Sequence, residues 1–172
     1  MAINNGDFET KDYSDWSIAS FTGGTTLPYK ITSDGADENY DGTDASGKTT
    51  GARWTDVTKA NPRTTASRFA YQAQTLTASA DYTVEYSYAI KTGGNASDKV
   101  VVEILPGHYS EGTNALSATP IIQLEGTSIN GVRNFTTISQ SFTAPSNGSA
   151  SIWMYAESTA DSYIDNIKLT KD

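Results

Sequence analysis

"YTVEYSYAIK" (residues 82–91) alternates without a break. Tyr82, Val84, Tyr86, Tyr88 and Ile90 fall on one side, and Thr83, Glu85, Ser87 and Ala89 on the other. Successive side chains of a strand point to opposite faces of a sheet, so a period of two reads as a half-buried β-strand. "KVVVEIL" (99–105) and "SASIWMYAE" (149–157) alternate in the same way. In the last of these, Trp153 and Tyr155 share a face opposite Ile152 and Met154, so one of the two pairs lies off the core. Further strands are predicted at 15–20, 28–33, 51–58, 67–76, 119–125, 133–143 and 162–170. Turns are predicted at "GG" 23–24, "GGN" 93–95, "PGH" 106–108, "NGV" 130–132 and "PSNG" 145–148. Helical periodicity is almost absent. Roughly ten short strands between turn clusters predict an all-β fold, a β-sandwich (jelly roll) of two antiparallel sheets.

Composition narrows the function. A chain of 172 residues is the size of a single domain spanning 1–172, large enough for its own core. A net charge of −8 and a pI near 4.5 argue against nucleic acid or a membrane surface as partner. No apolar run approaches the roughly 18 residues of a membrane span, so no membrane insertion is expected. The absence of cysteine removes thiol catalysis, zinc–cysteine sites and disulfides. Met1-Ala2 runs directly into a strand-like stretch with no signal peptide, and the expectation is a module excised from a larger secreted or cell-surface protein.

Charge is distributed unevenly. Residues 1–47 hold nine acidic and two basic residues, and five of those acids lie in "DGADENYDGTD" (34–44). Residues 48–68 reverse this, with Lys48, Arg53, Lys59, Arg63 and Arg68 against Asp56 alone, around Trp54. A solvated acidic loop beside ordinary surface arginines is the plain reading. The chain ends carry a second pattern. "INNGDFET" (3–10) reads as a first strand and "SYIDNIKL" (162–169) as a last one. Asp7 and Glu9, two apart, would point the same way, and pairing of the two ends would add Asp165. Three such carboxylates repel unless a hard cation neutralises them. The alternatives are that Asp7 and Asp165 only cap turns, or that the acidic stretch 34–44 holds a metal. That stretch lacks the Asp-x-Asp-x-Asp-Gly spacing of a calcium loop.

"NGDFE" followed by Trp16, then "YQAQTLTASADYTVEYSYAIK" (71–91), "FTTISQSFTAPSNGSASIWMY" (135–155) and "SYIDNIKL" resemble, in this order, carbohydrate-binding modules of the family 4, 9 and 22 type. The resemblance covers nearly the whole chain and is poorest over 105–132. It implies a β-jelly roll with a structural calcium ion (Ca²⁺) tying the first strand to the last. Carried over position by position, Glu9 and Asp165 supply carboxylate oxygens, Asp7 a main-chain carbonyl, and the region of Gly47-Lys48 another carbonyl. The glycan would lie on the concave sheet or at the loop rim.

Sugar recognition needs aromatic faces for the C–H side of the ring and polar groups for the hydroxyls. Ten tyrosines and three tryptophans supply the aromatics, and Phe8, Trp16, Tyr82 and Tyr86 are expected in the core. Trp54, in the polar stretch "GARWTDVTKANPR" (51–63), is the candidate ligand platform, with Arg53, Arg63 and Arg68 as its partners. Tyr71, beside Arg68, is the next candidate. His108-Tyr109, in "LPGHYSEG" (105–112), forms either a ligand contact or a simple surface turn. Catalysis is not expected. His108 and Tyr109 lack a converging acid–base set of the lyase type, and no spacing pairs Glu85, Glu103, Glu125 or Glu157 as glycosidase carboxylates. The expectation is a non-catalytic carbohydrate-binding module, secreted or on a bacterial cell surface and tethered to a catalytic or surface-anchored domain. It would prefer an anionic polysaccharide such as alginate, because guanidinium groups match carboxylates bidentately. The resemblance alone favours a neutral β-glucan (laminarin, xylan or cellulose). A structural or adhesive sandwich with no sugar site is the third reading, and burial of Trp54, Tyr71, Trp153 and Tyr155 would favour it.

Overall fold

The computed structural model describes residues 3–8, 14–20, 29–32, 51–54, 68–109, 117–129, 131 and 135–172, with backbone alone at 18–20, 29–32, 51, 53, 54, 68 and 69. The strands in chain order are β1 (Ser17–Ser20), β2 (Tyr29–Thr32), β3 (Gly51–Trp54), β4 (Arg68–Thr75), β5 (Asp81–Ile90), β6 (Lys99–Pro106), β7 (Ile122–Gly126), β8 (Thr136–Thr143), β9 (Ser149–Glu157) and β10 (Ser162–Lys171). Among the described residues they form an all-β sandwich of two five-stranded antiparallel sheets. The first runs β1-β4-β9-β6-β7 and the second β2-β3-β10-β5-β8.

The alternation of β5 decides which face is inside. Its five predicted core positions, Tyr82 through Ile90, are all 3% exposed or less. They pack against Val100, Val102 and Ile104 of β6 and Ala150, Ile152, Met154 and Ala156 of β9. Each large apolar side chain so buried contributes about 1.5–3 kcal/mol. The phenols also bridge the sheets. Tyr86 Oη lies 2.7 Å from the Val100 carbonyl and 2.8 Å from that of Leu124. Burial pushes the Tyr86 phenol well above the usual tyrosine range. Tyr88 Oη accepts from the Ser128 amide at 2.9 Å, and its ring fills the space where any side chain at Gly126 would go. Toward β8 the outer face of the second sheet is wet, with the hydroxyl pairs Thr83–Ser141 and Ser87–Thr137.

The N-terminal stretch corrects an expectation. Residues 4–7 form turns rather than a first strand, with positive φ at Asn5 and Phe8. Ile3 and Phe8, of opposite parity in a strand, are both buried, at 7% and 0% exposure. The turn brings both inward. Phe8 stacks on Trp16 with ring centroids 5.8 Å apart, and Trp16 Nε1 donates to the Asn5 carbonyl at 2.9 Å. The segment therefore adds its apolar side chains to the core between the sheets, and Asp7 stays exposed. Gly6 sits against β10, where the Ile167 amide donates to its carbonyl at 2.8 Å. A Cβ at Gly6 would run into the Ile167 carbonyl.

Candidate functional site

The outer face of the first sheet is unusual because it too is apolar. Tyr71 on β4, Val101 and Leu105 on β6, and Trp153 and Tyr155 on β9 form a second cluster, separate from the core between the sheets. Strand register aligns Ser17, Tyr71, Trp153, Glu103 and Gln123 in one row across all five strands. Tyr71 and Trp153 stack with centroids 4.4 Å apart and planes 5° apart. Tyr155 Oη accepts from Gln123 Nε2 at 2.7 Å and donates to Glu103 Oε2 at 3.4 Å. Aromatic rings beside an amide and a carboxylate can meet both the C–H face and the hydroxyls of a sugar.

The turn after β6 leans over this face. Gly107, at φ 99°, turns the chain; its amide donates to the Ser149 carbonyl, and Ser151 Oγ donates to its carbonyl at 2.7 Å. His108 Nε2 donates to the Gln74 carbonyl at 2.8 Å, which puts a proton on that nitrogen because a carbonyl only accepts. Tyr109 Oη donates to the Pro106 carbonyl, and Tyr109 and Ala118 pack on the aromatic cluster. Tyr71, Trp153 and Tyr155 are accordingly 7%, 1% and 1% exposed. The expectation that one of the β9 pairs lies off the main core holds, yet both pairs are buried.

Open space begins at the β1 flank of the row. A groove of about 360 Å³ is lined by Asn4, Asp15, Ser17, Tyr71, Gln72 and Gln74, among others. Small Ser17 lies across from Tyr71 on the side away from Trp153, which leaves the room. Charge on this face is mainly acidic. Glu103 is 1% exposed. Lys99, the one cation among the described strand residues of the face, bridges Glu125 at 2.7 Å and Glu157 at 3.1 Å. Burial pulls the Lys99 pKa down, but its hydrogen bonds to those two glutamates outweigh this and hold it above the usual lysine value.

The chain termini meet at a second groove of about 340 Å³, lined by Asn5, Gly6, Asp7 and residues of β10 including Asn166 and Lys168. β10 bulges there between Asp165 and Lys168, and Asn166 takes φ 52°. Asp165 is 1% exposed, with Oδ1 accepting from the Asn166 amide at 2.7 Å and Oδ2 from Asn166 Nδ2 at 3.2 Å. A buried carboxylate is the donor type a hard cation takes, but Asp165 is not among the residues lining this groove. Among the described residues no three acidic or histidine side chains form a metal-binding group. Glu9 and Lys48 lie outside the described residues.

Of the residues expected to contact ligand, the structure brings Tyr71, His108 and Tyr109 to the outer face of the first sheet. Arg53 and Trp54 belong to β3 of the second sheet, where the ladder pairs them with Tyr163 and Ser162. Arg68 opens β4. The side chains of Arg53, Trp54 and Arg68, and all of Arg63, lie outside the described residues. The sequence reading missed Gln72, Gln74 and Gln123 and weighed Glu103 only as a catalytic acid. A signal was present: "QAQ" (72–74) places two amides on the core-facing parity of Ala70.

No protein-family model matches the chain, and no curated protein matches it by sequence. Solved structures do match over its whole length. A structure described as "CBM4 structure and function" is 17% identical with a TM-score of 0.58, aligned over 99% of both chains. The module TmCBM61, solved with β-1,4-galactotriose, is 13% identical with a TM-score of 0.61, over 98% of this chain and 97% of that one. The Stig cyclase Fisc from Fischerella sp. TAU, solved with an indole ligand, is 16% identical with a TM-score of 0.65, over 100% and 98%. Likeness at such identities establishes a shared fold, the β-jelly roll of these carbohydrate-binding modules, which a cyclase also uses.

Proposed function

We propose that the chain is a non-catalytic carbohydrate-binding module that targets a polysaccharide through the outer face of its first sheet. One observation carries the reading: the row Tyr71–Trp153–Glu103–Gln123, bordered by an open polar groove, in the fold that carbohydrate-binding modules share. Aromatic stacking would come from Tyr71, with Trp54, on β3 of the second sheet, as the alternative platform, and hydroxyl contacts from the amides and carboxylates. The acidic character of the described face supports a neutral glycan such as laminarin, xylan or cellulose. The basic stretch around Trp54 supports an anionic glycan such as alginate, with Arg53, Arg63 and Arg68 pairing its carboxylates, and with His108 and Tyr109 at the site's edge. Ca²⁺ held by Asp165, Glu9 and the carbonyls of Asp7 and Lys48 would neutralise charge and join the chain ends, with no part in ligand chemistry. Tethering to a catalytic or surface-anchored domain, outside the cell, completes this reading.

A structural or adhesive sandwich is favoured by one observation, the burial of Tyr71, Trp153 and Tyr155. Retention gels and calorimetry against alginate, laminarin, xylan and mannan separate the readings. Binding of one polysaccharide is expected, with Trp54→Ala or Tyr71→Ala costing about 1–3 kcal/mol, as for a central aromatic anchor. Affinity that falls steeply with added salt marks an anionic ligand, because salt screens exposed charges. Retention by none of the four, or release of products on prolonged incubation, would overturn the proposal.

A further inference from the structure

We infer that the free edge of β8 pairs with the same edge of a second copy of this chain, joining two second sheets into one continuous sheet. An open sheet edge invites pairing, and proteins blunt it with short strands, charges, prolines or bulges. Among the described strands, three of the four sheet edges are blunted in this way. β1 and β2 have four residues each, and β7 has five and carries Glu125, bridged to Lys99. β8 is different. Its eight residues, TTISQSFT, include no charge and no proline, and they register on β5 from Thr136 to Thr143 without a bulge. The strand is uncharged in a chain whose net charge is −8.

Antiparallel ladders bond through alternate residues. The Ala144 amide donates to the Ala80 carbonyl at 2.9 Å, so the even-numbered residues of β8 bond to β5. Thr137, Ser139, Ser141 and Thr143 therefore direct amide and carbonyl outward, and among the described residues no main-chain group meets them. One two-fold register satisfies all four: Gln140 faces its own copy, Ser139 faces Ser141, and Thr137 faces Thr143. The hydroxyls agree with it. Thr83 donates to Asp172 at 3.0 Å, so Ser141 must give its hydrogen to Thr83, at 2.9 Å, and offers only lone pairs across the seam. Thr143 likewise gives its hydrogen to Asp81, at 2.8 Å. The donors fall opposite these acceptors: Ser139, and Thr137, which can accept from Ser87 at 2.8 Å and donate onward. On the other face Ile138 meets Phe142, apolar against apolar. Gln140 is exposed, and its amide offers both a donor and an acceptor to its counterpart. The two-fold axis stands perpendicular to the sheet, so both first sheets lie on one side and turn their outer faces the same way. On the carbohydrate-binding reading, two such faces engage one polymer at once and strengthen its retention; the pairing itself does not depend on that reading.

Sedimentation velocity and amide exchange over a concentration series of the whole chain, up to its solubility limit, test the inference. A monomer that becomes a dimer on concentration, with exchange slowing at Thr137, Ser139, Ser141 and Thr143, is expected. Ser139→Pro should abolish the dimer and leave the fold, because proline is tolerated on an edge strand where the amide points to solvent. Gln140→Lys and Gln140→Glu should each weaken association roughly tenfold by setting like charges opposite one another, and an equimolar mixture of the two should restore it. Thermal melting checks that each variant folds, and if Ser139→Pro does not, the charge exchange decides. A chain that stays monomeric throughout overturns the inference, as does a dimer indifferent to the charges at Gln140.

Discussion

Phe8→Ala tests whether the N-terminal turn is part of the fold or an appendage. Phe8 is fully buried and stacked on Trp16. Truncating a phenylalanine in such a position costs about 3–5 kcal/mol, from lost burial and the cavity left behind. What would still tether the turn is polar: Gln72 Nε2 to the Asn4 carbonyl, Trp16 Nε1 to the Asn5 carbonyl, and the Ile167 amide to the Gly6 carbonyl. Each is worth about 0.5–1.5 kcal/mol net, and all three already exist, so none offsets the loss. At about 2–4 °C per kcal/mol for a domain of this size, the melting temperature should fall by roughly 6–20 °C. Calorimetry at fixed pH and saturating calcium, which holds any metal contribution constant, provides the measurement. Amide exchange at Ile167 should accelerate in parallel, because its acceptor sits on the turn. A fall below about 3 °C with unchanged exchange at Ile167 would refute the reasoning and make the turn a detachable flap.

Three further outcomes are expected. Chelation should lower the melting temperature, by roughly the 2.7 kcal/mol that an ion at a hundred times its dissociation constant contributes, and Asp165→Ala should remove that response; an unchanged melt after proven loss of the ion counts against calcium. Gly126→Ala drives a methyl into the Tyr88 ring, so it should cost about 1–3 kcal/mol of stability, the range for overpacking; a neutral effect in denaturant titration would contradict the packing. Burial raises the folded-state pKa of Tyr86 above the value of about 10 in the unfolded chain, so its contribution is full below pH 10 and is lost as pH climbs past it. Tyr86→Phe should be about 1 kcal/mol less stable at neutral pH and lose stability less steeply above pH 10; an identical slope would place the effect elsewhere.

The sandwich was legible because the strands that build it are half-buried and alternate. β5 and β9 announce their parity, and four of the predicted turns carry a glycine at positive φ, Gly93, Gly107, Gly131 and Gly148. The N-terminal turn was misread as a strand for a physical reason. Asp7 and Glu9, two apart, read as one face of a strand, but Asn5 and Phe8 occupy left-handed backbone, and side-chain spacing is silent about φ. The site was less legible still. Tyr71 and Glu103 lie 32 positions apart in the chain and meet only through β9, because both register on Trp153. Buried amides escaped notice since glutamine is ordinarily a surface residue, and the main-chain carbonyl that receives Gln72 Nε2, that of Asn4, lies 68 residues away in the chain.

Burial on both sides of β9 makes it a strand with no idle positions. In β8, residues such as Thr137, Ser139 and Ser141 face solvent, and random substitution there should be absorbed at every second site. In β9 the seven residues from Ala150 to Ala156 are all buried, so the permissive parity disappears. A saturation library read out by abundance in cells would then show a two-residue ripple of tolerance along β8 and a continuous dark band along β9. Drift during evolution would be confined in the same way. Diversification of this domain toward new ligands would proceed through β1, β4 and the surrounding loops, while β9 changes slowly beneath them.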